Sequence, residues 1–498
     1  MRANMNATPE SRGISSRSLL RFVKKLDERG IPMHSLLIAR GDDIVLNAYW
    51  SPFNNKTLHR QNSVTKSFVA LAIGLLEEEG KLSLSDKVID FFPEAREYEV
   101  SDEIAEQTVC DLLTMRTSFN KASGGHWVRD KKYDRIKAYF TARPEKVPST
   151  FFNYDSSGSY ILGVIAERLS KKPLMDYLKE KLLSKIEFSE NADCILDPMG
   201  YSWSDSGLLC TAEDLYKVGK FINQGGMWQG ERLMNEKFLR DATSRISSNC
   251  TAGNDRDNNN YGYGYQIWHE AMGGFGFHGM GMQYMICIPC LNFYLVCNAD
   301  TQGYDNSRAI FLSMYEDLIK EEVKPSPLPE DKEGYAALCE YCDSLKLVSL
   351  RGESRTHTAE RIDRREFILE ENPMGIKRFV LSFDGDKGEF FYENKQGEKR
   401  LPFGFSRNFL TEFPEDGYAN MKIGESPEGY RHPCAVSGAW QDCDTFAIKA
   451  QMTGNHLGGL YIRIGFSGDR VSLEMKKNTN CFLNEYNGCA IGKAVDIK

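Results

Sequence analysis

The feature that most constrains this chain is the run SVTKSFVALAIGLLEEEG from Ser63 to Gly80. Val64, Phe68, Val69, Leu71, Ile73, Leu75 and Leu76 cover nearly every face of a helix written over it, so that helix must be central and buried. Before it, Ser16–Arg29 carries Leu19, Leu20, Val23 and Leu26 at helical spacing and is stopped by Gly30. Two β-like runs, HSLLIAR from His34 and IVLNAYW from Ile44, follow across a Gly41-Asp42-Asp43 turn. Helical patterns then fill the chain to about Ile222. Strand signals return at YGYGYQIW, GMQYMICI and LNFYLVCNA, and SRAIFLSMYEDLIKEE closes the block as a helix. This order requires the first strands to pair with the late ones. The expected class is α+β, an antiparallel sheet flanked by helices with an all-helical subdomain.

At Val323 the sequence turns to VKPSPLPEDK, a polar run with three prolines that cannot continue a helix. The expected organisation is therefore a first domain over 1–322, a linker over 323–335 and a second domain over 336–498. A chain of 498 residues accommodates two or three domains. Past Arg361 short alternating runs such as RFVLSFD, TFAIKAQM and GLYIRIGF, broken by Gly and Asp turns, read as an antiparallel sheet or barrel. Such a domain can cover a cleft, mediate a homo-oligomer or bind a partner.

Several function classes are disfavoured by composition. With 62 basic against 70 acidic residues the net charge is −8, which offers no footprint for nucleic acid or an anionic membrane surface. No stretch approaches the roughly 20 apolar residues of a membrane helix. The N-terminus lacks the apolar segment of a secretory signal, so a cytoplasmic location is expected. Thirteen cysteines, an odd and scattered set, read as reduced thiols. The pairs Cys287/Cys290 and Cys339/Cys342 have no further ligand at zinc spacing, and neither a metal nor a cofactor is expected. There is no GxSxG elbow, no GxxxxGK[ST] loop and no HExxH.

Within the central helix Ser63 and Lys66 stand three apart, on one face and within hydrogen-bond reach. Desolvation disfavours an ammonium, so a lysine in so apolar a helix either pairs with an acid or gives up its proton and becomes a base for the adjacent hydroxyl. Ser63 would also sit where free backbone N–H groups point at a developing oxyanion. Tyr154, in FFNYDSSGSYILGVIAERLS, lies on a loop feeding a helix that Asp155 or Ser156 can cap. In FGFHGMGMQYMICIP, glycines around Gly279 precede an apolar strand and let its backbone approach a substrate closely.

Taken together, SVTK, YDS and FHGMGMQ resemble the serine β-lactamase and penicillin-binding-protein-like superfamily, and within it the class C-related esterases and amidases of the 6-aminohexanoate-dimer hydrolase type. VCDLLTMRTSF and DPMGYSWSDSGLLCTAEDLYKVGKFI resemble further segments of that family, in the same order, over roughly residues 15–322. The resemblance implies a β-lactamase-like fold and a small ester or amide as substrate. It makes Ser63 the acylated nucleophile, Lys66 its base and Tyr154 a proton relay to the leaving group. Ser156 would hydrogen-bond Lys66 or the substrate. Phe277-His278-Gly279 would occupy the third motif, in a register open by one residue, with the Met280 N–H as second oxyanion donor. Family members that cleave lactams present a cation where Phe277 stands, although His278 is adjacent. The loops around Gly124–Lys131 and Asn249–Asn260 would line the site without a clear charge preference. The alternative is a catalytically weak binding or sensor protein that keeps the fold.

Overall fold

The structure, a computed structural model, describes residues 5–120, 132–249, 261–304, 306–415, 431–479 and 483–495. The chain divides into two units, one running to Leu345 and the other formed by Lys346–Lys498 together with Gln302–Tyr304. In the first unit α1 (Ser16–Glu28) leads into the hairpin of β1 (Met33–Arg40) and β2 (Asp43–Tyr49), whose turn holds Gly41 at a φ of +62°. The chain continues through β3 (His59–Arg60), α2 (Thr65–Glu78), α3 (Ser156–Ser170), β4 (Leu208–Cys210) and α4 (Ala212–Asn223). It returns to the sheet as β5 (Trp268–His269), β6 (Phe275–Gly279), β7 (Gln283–Ile288) and β8 (Phe293–Ala299), and ends in α5 (Ser307–Asp317) and α6 (Lys332–Ser344).

The sheet order is β2-β1-β8-β7-β6-β5, antiparallel throughout, so the first strands do meet the late ones: β1 pairs β8 from Met33↔Ala299 to Arg40↔Phe293. Side chains alternate across a strand, and here both faces are covered. Leu36, Ile38 and Leu295 join Leu19 and Val23 of α1, Phe311 of α5 and Leu338 of α6 in one core. Leu37 and Val296, one residue out of phase, join Val69 of α2, Ile161 of α3 and Val218 of α4 in the other. Covering both faces is why these strands read as continuous apolar runs. Every residue of α2 from Thr65 to Leu76 is buried, as its all-round apolar pattern requires. Gly74 permits that packing, since a Cβ there would lie 2.3 Å from the Met234 methyl.

The first unit runs to Leu345, ten residues past the end of the linker expected over 323–335. Helix α6 belongs with the first unit because Leu338 is fully buried beside α1, the Tyr341 hydroxyl donates to Asp27 Oδ2 at 2.8 Å, and Asp331 accepts from Arg17 Nε at 2.6 Å. The prolines interrupt a helix but the chain returns to the same core.

Where β1 and β3 approach, His34 and His59 are both buried, with His34 Nδ1 2.7 Å from His59 Nε2 and Phe53 stacked on His34 at 3.9 Å. Burial pulls His59 down to about 4 from 6.5, offset in part by its bond to the Arg60 carbonyl. Below pH 6.5 the unfolded chain therefore takes up a proton that the folded chain refuses until about pH 4, so this stability is present above 6.5 and is lost as the pH falls. The drop in pKa corresponds to about 3 kcal/mol. Urea unfolding at pH 7.5 and 4.5 should show the wild type losing about 2–3 kcal/mol more than His59→Gln; equal losses would dismiss His59 as the titrating group.

The second unit is a β-barrel. Among the described residues ten strands, β9 (Glu366–Leu369), β10 (Arg378–Asp384), β11 (Lys387–Asn394), β12 (Gly397–Phe405), β13 (Phe409–Glu412), β14 (Pro433–Trp440), β15 (Thr445–Met452), β16 (Gly459–Ser467), β17 (Arg470–Lys477) and β18 (Gly488–Ala494), run in the order β12-β11-β10-β9-β18-β17-β16-β15-β14-β13. A parallel pairing of Gly404 and Phe405 with Ser437 and Gly438 closes the barrel. Aromatic rings fill its interior, among them Phe403 and Phe446 with centroids 5.2 Å apart. Gly438 is the space those rings occupy, since a Cβ there would come within 2.6 Å of Phe403 and 2.8 Å of Phe446.

Candidate active site

Ser63 lies in a single 3-10 turn, Asn62–Val64, at the head of α2. It is partly exposed, whereas Lys66, one turn on, is 1% exposed. Lys66 Nζ donates to Ser63 Oγ at 3.0 Å and to the carbonyl of Asp205 at 2.7 Å. Among the described residues no carboxylate lies within ion-pair distance of Lys66, so the paired-acid arrangement is absent from this site. The Asp205 carbonyl comes from the loop before β4, within DPMGYSWSDSGLLC. It leaves Lys66 aimed at the hydroxyl of Ser63.

Tyr154 approaches from the other side, its ring centroid 5.2 Å from Lys66 Nζ. Its hydroxyl makes no hydrogen bond to Ser63 or Lys66. Asp155 caps α3 by accepting from the Ser157 N–H at 2.9 Å, and Thr117, from the TMRTSF segment, donates to its other oxygen at 3.0 Å. Complete burial raises the Asp155 pKa, and these bonds partly offset it. Ser156, 9% exposed, opens α3. No hydrogen bond joins Ser156 to Lys66, whose Nζ donates to Ser63 and to the Asp205 carbonyl.

The third segment forms β6 and the turn after it. Phe277 is fully buried, with its ring 6.4 Å from that of Phe68 on α2. The His278 ring lies against Glu270 and Trp268. Both ring nitrogens are buried, Nε2 sits 2.5 Å from Glu270 Oε1 but out of line for a hydrogen bond, and the ring stacks on Trp268 at 5.4 Å. Trp268 in turn stacks on Tyr154 at 5.7 Å, a contact the sequence reading missed because YGYGYQIW signals only a strand. Gly276 makes room for the Glu270–His278 pair, as a Cβ there would lie 2.8 Å from Glu270 Oε1. Gly279 lets β6 approach the turn before α2 closely: a Cβ there would stand 2.3 Å from the Gln61 carbonyl. Met280 follows, its carbonyl accepting from Asn62 Nδ2 at 2.8 Å and from Gln283 Nε2 at 3.0 Å.

The stretch Gly124–Lys131 and all of Asn249–Asn260 except Asn249 lie outside the described residues. Among the described residues no group of three or more His, Cys, Asp or Glu side chains could hold a metal ion. No helix among them is long and apolar enough to cross a membrane.

A serine and a lysine one turn apart at the head of a buried helix, with an antiparallel sheet edge running past them, define a β-lactamase-like site. The beta-lactamase family model matches residues 19–310, and the chain belongs to that family. It is 24% identical over 221 residues to the 6-aminohexanoate-dimer hydrolase of Paenarthrobacter ureafaciens, a match over 41% of this chain and 55% of that protein. The chain thus spans about half the length of that relative. A Bacillus anthracis structure assigned as a 6-aminohexanoate-dimer hydrolase is similar at 20% identity and a TM-score of 0.52, covering 64% of this chain and 87% of that one. A Bacteroides dorei structure assigned as a β-lactamase is similar at 14% identity and a TM-score of 0.51, covering 62% and 100%. Both likenesses concern the fold.

Proposed function

We propose that the first unit is a serine hydrolase that cleaves an ester or amide bond of a small molecule through an acyl-enzyme on Ser63. The observation that carries this reading is the 3.0 Å approach of Lys66 Nζ to a partly exposed Ser63 Oγ, with no acid competing for the lysine among the described residues. Lys66 takes the Ser63 proton as the hydroxyl attacks the carbonyl carbon, and the negative charge passes to the carbonyl oxygen. Backbone N–H groups of Ser63 and Met280 receive that oxyanion. Collapse of the tetrahedral intermediate expels the alcohol or amine, to which Tyr154 relays a proton, and water then repeats the sequence on the acyl-enzyme. Ser156 contacts the substrate at the head of α3. The 6-aminohexanoate-dimer hydrolase name of the Paenarthrobacter ureafaciens relative supports a linear amide among the substrates.

Intact-protein mass spectrometry after a fluorophosphonate probe tests the reading. One phosphonyl adduct located on Ser63 is expected, and an unlabelled protein would favour a binding or sensor role. Substrate preference follows from the third motif. Phe277 is buried and His278 has no exposed ring nitrogen, so a substrate carboxylate meets no cation from this strand. A chromogenic cephalosporin should therefore be hydrolysed more slowly than a short p-nitrophenyl ester, as measured by kcat/KM. Faster lactam turnover would reverse the ranking.

A further inference from the structure

We propose that Asn62 is a positioning residue that sets the spacing of the two oxyanion donors, an inference that rests on the hydrolase reading above. Asn62 shares a peptide with one donor and bonds the residue that carries the other. Its own carbonyl belongs to the peptide that carries the Ser63 N–H, and that carbonyl accepts from Thr65 Oγ1 at 2.6 Å. Its side chain reaches across to the sheet, where Nδ2 donates to the Met280 carbonyl at 2.8 Å. Met280 is thereby held from both ends: Gly279 before it is fixed by pairing with Gln283, and its carbonyl is fixed by two amides. A side chain 218 residues away in sequence thus joins the loop of the nucleophile to the strand of the second donor.

The clamp is anchored in a buried network. Gln283 Nε2 also donates to the Ala299 carbonyl at 2.7 Å, while Asn298 Nδ2 donates to Gln61 Oε1 at 3.0 Å and to Gln283 Oε1 at 3.2 Å. Ser35 Oγ completes the chain by donating to Asn298 Oδ1 at 3.0 Å. Gln61, Asn62, Gln283 and Asn298 are each at most 4% exposed. Buried amides this fully engaged are held rigidly, and a preorganised donor pair is what an oxyanion requires. Asn62 has a φ of 48°, a left-handed conformation that asparagine tolerates better than most residues. A purely conformational role would use asparagine for that backbone alone.

Two substitutions separate the roles. Asn62→Gly enters the left-handed conformation freely but has no amide, and Asn62→Asp keeps the shape but its carboxylate cannot donate to the Met280 carbonyl. Both should lower kcat for p-nitrophenyl acetate by about 10- to 100-fold with KM little changed. Both should also reduce the preference for that ester over its thiono analogue, because a thiolate-like anion takes little benefit from oxyanion donors. Fluorophosphonate labelling should slow by a similar factor. If Asn62→Asp fails to fold by thermal melting, Asn62→Gly alone decides. Labelling of Ser63 in the wild type, with Asn62→Gly keeping more than half of kcat or an unchanged ester-to-thionoester ratio, overturns this inference alone. Absence of labelling in the wild type overturns the hydrolase reading and this inference with it.

Discussion

Ser63→Ala should abolish turnover of a p-nitrophenyl ester, with kcat falling on the order of 10⁴-fold or more, and should remove the fluorophosphonate adduct. Neither α2 hydroxyl beside Lys66 can take over. Thr65 Oγ1 is bonded to the Asn62 carbonyl and accepts from the Leu208 N–H, and Ser67 Oγ is buried against the Gln266 carbonyl. The variant should fold. Ser63 is partly exposed in a 3-10 turn, and alanine removes one hydrogen bond, the one from Lys66, which is worth about 1 kcal/mol. Thermal melting and ester kinetics on the same preparation separate a lost nucleophile from a lost fold. A folded variant that keeps most of the wild-type rate would remove Ser63 from the mechanism.

Legibility from sequence divides along the range of the interactions. Helix α2 could be read because burial on every side leaves an apolar mark at every local position, and the Ser63–Lys66 contact could be read because three residues on a helix always share a face. The β1–β2 hairpin announced itself in its Gly-containing turn. What escaped was set by contacts between distant segments. The Asp205 carbonyl that holds Lys66 is 139 residues away, and a main-chain acceptor leaves no signature in residue type. The Tyr154–Trp268–His278 stack depends on β5 lying at the edge of the sheet, which no local pattern encodes. His278 appeared able to offer charge to a substrate, but Glu270 faces it from the segment before β6. An asparagine placed directly before an SxxK turn was the one available hint of Asn62, through its tolerance of positive φ. Proline content marked a break in the chain near Val323, while the apolar side of α6 decided which core that break returned to.

Lys66→Arg should be nearly inactive, with kcat reduced about 10²- to 10⁴-fold, the range that general-base catalysis supplies. Guanidinium stays protonated at any usable pH and cannot accept the Ser63 proton. The structure sharpens this expectation, because a lysine serving only as a charged partner needs an acid and none stands within ion-pair distance of Nζ among the described residues. Instead Nζ is pinned between the Asp205 carbonyl at 2.7 Å and Ser63 Oγ at 3.0 Å, the arrangement of a base with one proton donated backward and the nucleophile in front. Arginine is also larger, and at a site where Lys66 is 1% exposed its bulk alone could disturb the turn. Lys66→Ala resolves that ambiguity: small primary amines added to it should restore part of the ester hydrolysis if a base is missing, and nothing if shape is missing. A Lys66→Arg variant retaining more than about a tenth of wild-type activity, a barrier change below roughly 1.4 kcal/mol, would end the general-base role.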